Sequence, residues 1–339
     1  METHFTGKPD IVMGKSLLCR IKTQFTVYAR LLRWINLLMI LLIVLIIRYG
    51  FFLPLYMAIG LASPLSHTIY FLVVLSIVLI TAAGYIVNDI YDQKIDRLNK
   101  PTRLVIGQAV SVSRGWILYV ALNIFGLISG GIAALQIEQP MLLWLFVLSF
   151  GLLWYYSAYL KRKPFWGNFL VSFLSALVII TPWLFEFYAL LLKPDEWIAF
   201  YRFYPHVNYI ILSLSIFAFI STLIREIIKD AEDMEGDQTY ECQTLPIILG
   251  WKTTHRILQA LIALMMILLA MAQYWLRSHH YNLAFYWYFT VQFLSIRLLT
   301  VLPADVNKNQ LHRCSSLAKI TMLAGILGIL ALIPPLFST

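Results

Sequence analysis

Three aspartates stand at the end of a long apolar run, in the stretch Asn88-Asp89-Ile90-Tyr91-Asp92-Gln93-Lys94-Ile95-Asp96. Carboxylates beside a hydrophobic segment are costly and mark a functional site by default. Asp89, Asp92 and Asp96 fall at i, i+3 and i+7, and Asn88 joins Asp92 and Asp96 at steps of four. On a helix this spacing stacks the side chains on one face. Asp230, Asp233 and Asp237 repeat it, each 141 positions after its counterpart. Six carboxylates facing one another repel strongly at low effective dielectric, so cations must hold them. Hard oxygen donors suit Mg²⁺, which keeps several waters and takes one or two carboxylates together with substrate phosphates. Two facing clusters of this kind can grip a diphosphate through metal bridges.

The elements that must carry these clusters are membrane helices. The chain is 60% hydrophobic and 13% charged, with 21 Phe, 19 Tyr and 10 Trp among 339 residues. That composition excludes an ordinary globular domain. Runs long enough for the roughly 20 residues that cross a bilayer occur near 34–53, 67–90, 114–135, 141–160, 168–191, 208–228, 257–276, 282–302 and 316–337. The expected fold is all-α and polytopic, with nine transmembrane helices around a central cavity. Residues 1–33 form an N-terminal interfacial segment, and 34–339 form the membrane domain.

Basic residues set the orientation. With a cytoplasmic N-terminus, 22 of the 26 Lys and Arg fall in inner segments, and the outer side keeps Arg48, Lys193, Arg202 and Arg277. This asymmetry predicts that both acidic clusters and Lys161-Arg162-Lys163 face the cytoplasm. The net charge of +9 is accounted for by topology and anionic lipid headgroups, without nucleic acid. Cys19, Cys242 and Cys314 show no CxxC spacing and fall in inner segments, so they read as structural. No cleaved signal is expected, and neither a Walker loop nor a dinucleotide-binding glycine fingerprint is found.

Further along the chain, several residues admit two readings. Asn36 is an interhelical hydrogen-bonding group or a ligand. Arg97, Lys100 and Arg103 are phosphate donors or plain positive-inside charge. Trp154, Tyr155, Tyr156 and Tyr159 form an interfacial aromatic belt or a lining that stabilises a developing carbocation. Thr181-Pro182-Trp183 predicts a kink in the fifth span. His255, His279, His280 and His312 show no zinc-binding pattern.

The run Asn88-Asp89-x-x-Asp92-x-x-x-Asp96, then Asn99-Lys100-Pro101-x-Arg103, and Arg225-Glu226-Ile227-Ile228-Lys229-Asp230-x-x-Asp233-x-x-x-Asp237 resemble the two signatures of the UbiA superfamily of intramembrane prenyltransferases. Tyr156-Ser157, Leu160-Lys161-Arg162 and Gly167-Asn168 agree with that resemblance. It implies that Asn88, Asp92, Asp96, Asp233 and Asp237 hold Mg²⁺ and the diphosphate of a polyprenyl donor, with Asp89 and Asp230 in support. Arg97, Lys100, Arg103, Lys161 and Lys229 are then the phosphate-binding cations, and Tyr156 and Ser157 border the substrate. One departure is the missing proline in Arg103-Leu104-Val105-Ile106-Gly107, where many members carry Arg-Pro.

The implied partners are a polyprenyl diphosphate, a lipophilic acceptor and membrane lipids, in a bacterial or archaeal cell membrane, with no obligate protein partner. The wording of the second motif favours a glycerol-phosphate ether as acceptor, with geranylgeranylglyceryl phosphate the expected compound. Aromatic acceptors of the hydroxybenzoate, dihydroxynaphthoate or homogentisate type compete with it. A divalent-cation transporter is a distant alternative, because it predicts carboxylates near mid-bilayer in broken spans and these lie at helix ends.

Overall fold

The computed structural model describes residues 26–93, 97 and 104–332. Each expected apolar run becomes a helix: α1 (Trp34–Ala58), α2 (His67–Tyr91), α3 (Val112–Gln136), α4 (Leu143–Ala158), α5 (Trp166–Leu191), α6 (Tyr204–Glu232), α7 (Leu245–Ser278), α8 (Asn282–Val301) and α9 (Lys308–Leu327). In lipid no water satisfies the backbone, so an apolar run of this length closes its own hydrogen bonds as helix. Among the described residues the only β pairing is a single bridge between Ile106 and Val110.

Eight of these segments are long and apolar enough to cross a membrane. The one left out is α8, whose 20 residues include Asn282, Gln292 and Arg297. Even so, α8 would extend about 30 Å and packs along both α7 and α9. The protein is an integral, multi-pass membrane protein of helical architecture.

Local chemistry sets the ends of the helices. Ser66 caps α2 by accepting from Ile69 N at 3.2 Å, Ser111 caps α3, and Asn307 caps α9. Within the bundle, hydroxyls return their protons to the preceding turn, as Thr81 does to Ile77 O and Ser295 to Val291 O. Small residues let helices approach closely. A Cβ on Gly130 would lie 2.4 Å from the Phe146 ring, and one on Gly84 would lie 2.9 Å from Leu153. Gly84 thus seats α4 against α2 just before the first acidic cluster. The outward faces carry bare apolar side chains, among them Ile117, Phe125 and Leu135 on α3 and Phe293 on α8, as lipid contact requires.

The fifth span carries Pro182 inside one helix, Trp166–Leu191. One detail differs from the expectation. Arg48, expected among the outer-side charges, lies instead inside α1, in a π-helical turn over Ile47–Phe52, and is fully buried. It pairs with Glu186 of α5, donates to Leu65 O at 2.6 Å and stacks 4.7 Å from the Tyr70 ring. A guanidinium inside an apolar bundle persists only with such compensation.

Candidate active site

The C-terminal ends of α2, α4 and α6 and the N-terminal ends of α1 and α5 gather at one end of the bundle. Asn88 and Asp92 are both buried, and Asn88 Nδ2 donates to Asp92 Oδ2 at 2.7 Å. Asn88 is one turn before Asp92, so the helix itself delivers the contact. From the turn after α4, Lys161 reaches across to pair with Asp92 and lies 3.4 Å from Asn88 Oδ1. Gly167 makes this approach possible, since a Cβ there would sit 3.0 Å from Leu160 O and 3.3 Å from Lys161 Cα.

At the tip of α6, Asp230 accepts a hydrogen bond from Asn168 Nδ2 of α5 at 2.8 Å. Lys229 pairs with Glu226 at 3.1 Å, and Arg225 donates to the same carboxylate at 2.6 Å. Asp233 closes α6, and its carbonyl accepts from the backbone of Gly236 and Asp237 at 3.1 Å each. The chain then doubles back so that Cys242 N donates to Asp237 O at 2.9 Å, while Gln243 N donates to Arg162 O at 2.9 Å. The loop after the second cluster is therefore clasped to the loop carrying Lys161.

The field at this clasp comes from both clusters. Burial first, and then the Asp237 carboxylate, push the Cys242 thiol above its ordinary pKa; Asp92 adds to the rise, and Arg162 and Lys161 oppose it. One side chain thus feels acids of both motifs. The Tyr156 phenol does so too, lying in the field of Lys161, Glu226, Asp230 and Asp92.

Not every expected residue joins this group. Asp89 is engaged from the turn before α1, where Arg33 Nη2 donates to its Oδ1 at 2.7 Å. Ser157 is buried and its hydroxyl is engaged by Leu153 O at 3.0 Å. Arg97 is exposed. Asp96, Lys100 and Arg103 lie outside the described residues, so the first cluster is seen through Asn88, Asp89 and Asp92.

The donor set fits a hard divalent cation. Among the described residues no three His, Cys, Asp or Glu side chains are gathered into a group that holds a metal alone. Mg²⁺ takes few carboxylates and completes its shell from phosphate oxygens and water, and Asn88 and Asp92 offer oxygen donors of that kind.

A family model described as the UbiA prenyltransferase family matches residues 50–323. The chain belongs to that family. Digeranylgeranylglyceryl phosphate synthase of Saccharolobus solfataricus is 30% identical over 252 residues, covering 74% of this chain and 80% of that protein. The protein of the same name from Korarchaeum cryptofilum is 31% identical over 258 residues, covering 74% and 81%. In fold, the chain is similar to a structure described for digeranylgeranylglyceryl phosphate synthase in membranes, with TM-score 0.60, 24% identity and coverage of 92% and 99%. It is also similar to a UbiA homologue from Archaeoglobus fulgidus bound to GPP and Mg²⁺, with TM-score 0.56, 18% identity and coverage of 89% and 99%.

Within this UbiA-family chain, the structure adds site residues that sequence reasoning passed over. Arg33, at the turn before α1 with φ 50°, stacks 5.0 Å from the Tyr85 ring and lies in the field of Asp89 and Asp92. Tyr85 on α2 in turn neighbours Asn36 on α1. Glu226 holds two cations and also feels Arg33, which links the helices of the two motifs. A signal for these was present: Tyr85 and Glu226 stand four residues before Asp89 and Asp230 and are themselves 141 positions apart. Asn168, the partner of Asp230, had entered only through its place beside Gly167.

Proposed function

We propose that this chain transfers a polyprenyl group from an isoprenyl diphosphate to geranylgeranylglyceryl phosphate or a closely similar glycerol-phosphate ether, with Mg²⁺, at a site facing the cytoplasm. The reading is supported by the clasp of the loop after Asp237 to the loop of Lys161, which pairs with Asp92, in a chain with relatives named digeranylgeranylglyceryl phosphate synthase. Asn88, Asp92, Asp96, Asp233 and Asp237 serve as metal and diphosphate ligands. Asp230 and Asp89 orient the helix ends that carry them, through Asn168 and Arg33.

Mg²⁺ supplies charge neutralisation of the diphosphate leaving group. Lys161 and Lys229 add fixed positive charge, with Arg97, Lys100 and Arg103 as further candidates from the loop after α2. The allylic C–O bond breaks with its electron pair leaving on the diphosphate. The acceptor hydroxyl oxygen then bonds to the allylic carbon and its proton is released. Tyr156 borders this space, where an aromatic face stabilises a developing cation. The clasped loops keep water from capturing it.

The topology that serves this reaction has nine spans including α8, a cytoplasmic N-terminus, residues 34–339 as the catalytic unit and residues 1–33 at the interface. Burial of Arg48 removes one outer charge and so sharpens the positive-inside bias.

The test is incubation of the purified protein with Mg²⁺, geranylgeranyl diphosphate and an acceptor panel, read by mass spectrometry. The proposal expects digeranylgeranylglyceryl phosphate and released diphosphate. Prenylated hydroxybenzoate, dihydroxynaphthoate or homogentisate in its place would overturn the acceptor assignment. Divalent-ion flux through liposomes without diphosphate release would overturn the enzyme assignment.

A further inference from the structure

A cleft of about 760 Å³ opens where α8 ends and α9 begins. Its charged lining is Arg297, Arg313 and His312, with no carboxylate among the lining residues. Beside them stand Val301, Leu317 and Ile320, of which Val301 and Ile320 are 44% and 53% exposed. Neither arginine has an acidic partner within ion-pair distance among the described residues, and both are exposed. The cleft lies at the same end of the bundle as the acidic clusters, since His312 Nδ1 is 2.9 Å from Glu232 Oε1 at the tip of α6.

We propose that this cleft binds the phosphate head of an anionic phospholipid from the surrounding bilayer. The lining has two characters side by side. Two guanidiniums lining one cleft suit a phosphodiester, and the exposed aliphatic wall would be wasted on a soluble anion but matches the start of an acyl chain. Basic pockets between membrane helices at headgroup depth take lipid heads for these reasons.

Occupancy has a consequence for the reaction site. His312 is both a wall of the cleft and the partner of Glu232, which lies between Asp230 and Asp233 on the tip of α6. A lipid head held by Arg297 and Arg313 fixes the start of α9 and so braces that tip. The site lies outside both acidic motifs and is independent of which acceptor the enzyme uses.

The experiment is native mass spectrometry of the delipidated full-length protein, titrated separately with phosphatidylglycerol and phosphatidylcholine. The wild type is expected to prefer phosphatidylglycerol. In Arg297→Gln/Arg313→Gln that lipid is expected to bind about tenfold more weakly, with phosphatidylcholine unchanged. Arg297→Lys/Arg313→Lys keeps the charge and is expected to stay within about threefold of wild type. Arg277→Gln, at the opposite end of the bundle, leaves both lipids unchanged. Undiminished phosphatidylglycerol binding by the glutamine pair overturns the proposal, as does an equal loss for both lipids. Displacement of phosphatidylglycerol from the cleft by sub-stoichiometric geranylgeranylglyceryl phosphate also overturns it, because it makes the cleft an acceptor subsite. No prenyl donor is present, so the result is read separately from the prenyl-transfer assay.

Discussion

Arg33 and Asp89 form an ion pair at 2.7 Å that ties the turn before α1 to the helix of the first acidic motif. Asp89 follows Asn88 directly, so on α2 it lies about 100° round the helix from Asn88 and about 60° from Asp92, where Arg33 meets it. Its position in the motif therefore matches a residue that holds the N-terminal turn in place. Asp89→Ala is expected to lower kcat/KM about tenfold, and Asp92→Ala by at least about a hundredfold. Steady-state kinetics on the two variants, both inserted in membranes, checks this. Arg33 is partly exposed, so a double-mutant cycle of Arg33→Ala with Asp89→Ala should return a coupling of only about 1 kcal/mol in stability.

Asn168 donates to Asp230 from a neighbouring helix. Removing the donor leaves a partly buried carboxylate without its interhelical partner, at a cost of about 1–3 kcal/mol. Asn168→Ala should lower the thermal midpoint and the rate of prenyl transfer together. Asp230→Asn in the same background should recover stability, because a neutral amide no longer carries a stranded charge, while activity stays low. Thermal unfolding monitored beside turnover separates the two effects.

The Arg48–Glu186 pair sits at the opposite end of the bundle from the acidic motifs, between α1 and α5. Losing one partner strands a charge, so Arg48→Met alone should destabilise the protein by about 3–5 kcal/mol. Arg48→Met/Glu186→Leu should restore most of that, since apolar replacement of a buried pair is often neutral. Both variants that fold should keep kcat near wild type. A large kcat loss in the well-folded double variant would instead connect this pair to the reaction.

Much of the site could be read from the chain because charge is rare in it. An aspartate triad at helical spacing stands out against a 60% hydrophobic background, and its repetition 141 residues later marks both helix ends. The bundle followed from apolar run length alone, including α8, whose polar Gln292 and Arg297 weaken its membrane signal. Partners across helices were less legible. Arg48 and Glu186 are 138 residues apart and each is a single charge in an apolar run, a pattern that reads equally as an outer anchor. Asp89 shares the spacing of its neighbours, and only the fold shows that it pairs with Arg33. His206 and His279 have ring centroids 5.0 Å apart, although no spacing in the sequence brings them together.

The most direct measurement is Mn²⁺ electron paramagnetic resonance, with Mn²⁺ standing in for Mg²⁺, on the purified protein and a non-reactive thio-analogue of geranylgeranyl diphosphate. If the tips of α2 and α6 share a metal-bound diphosphate, wild type sequesters Mn²⁺ only when the analogue is present. Asp92→Ala and Asp233→Ala each then abolish that sequestration. Retention of the bound Mn²⁺ signal in either variant would contradict a shared site between the two motifs.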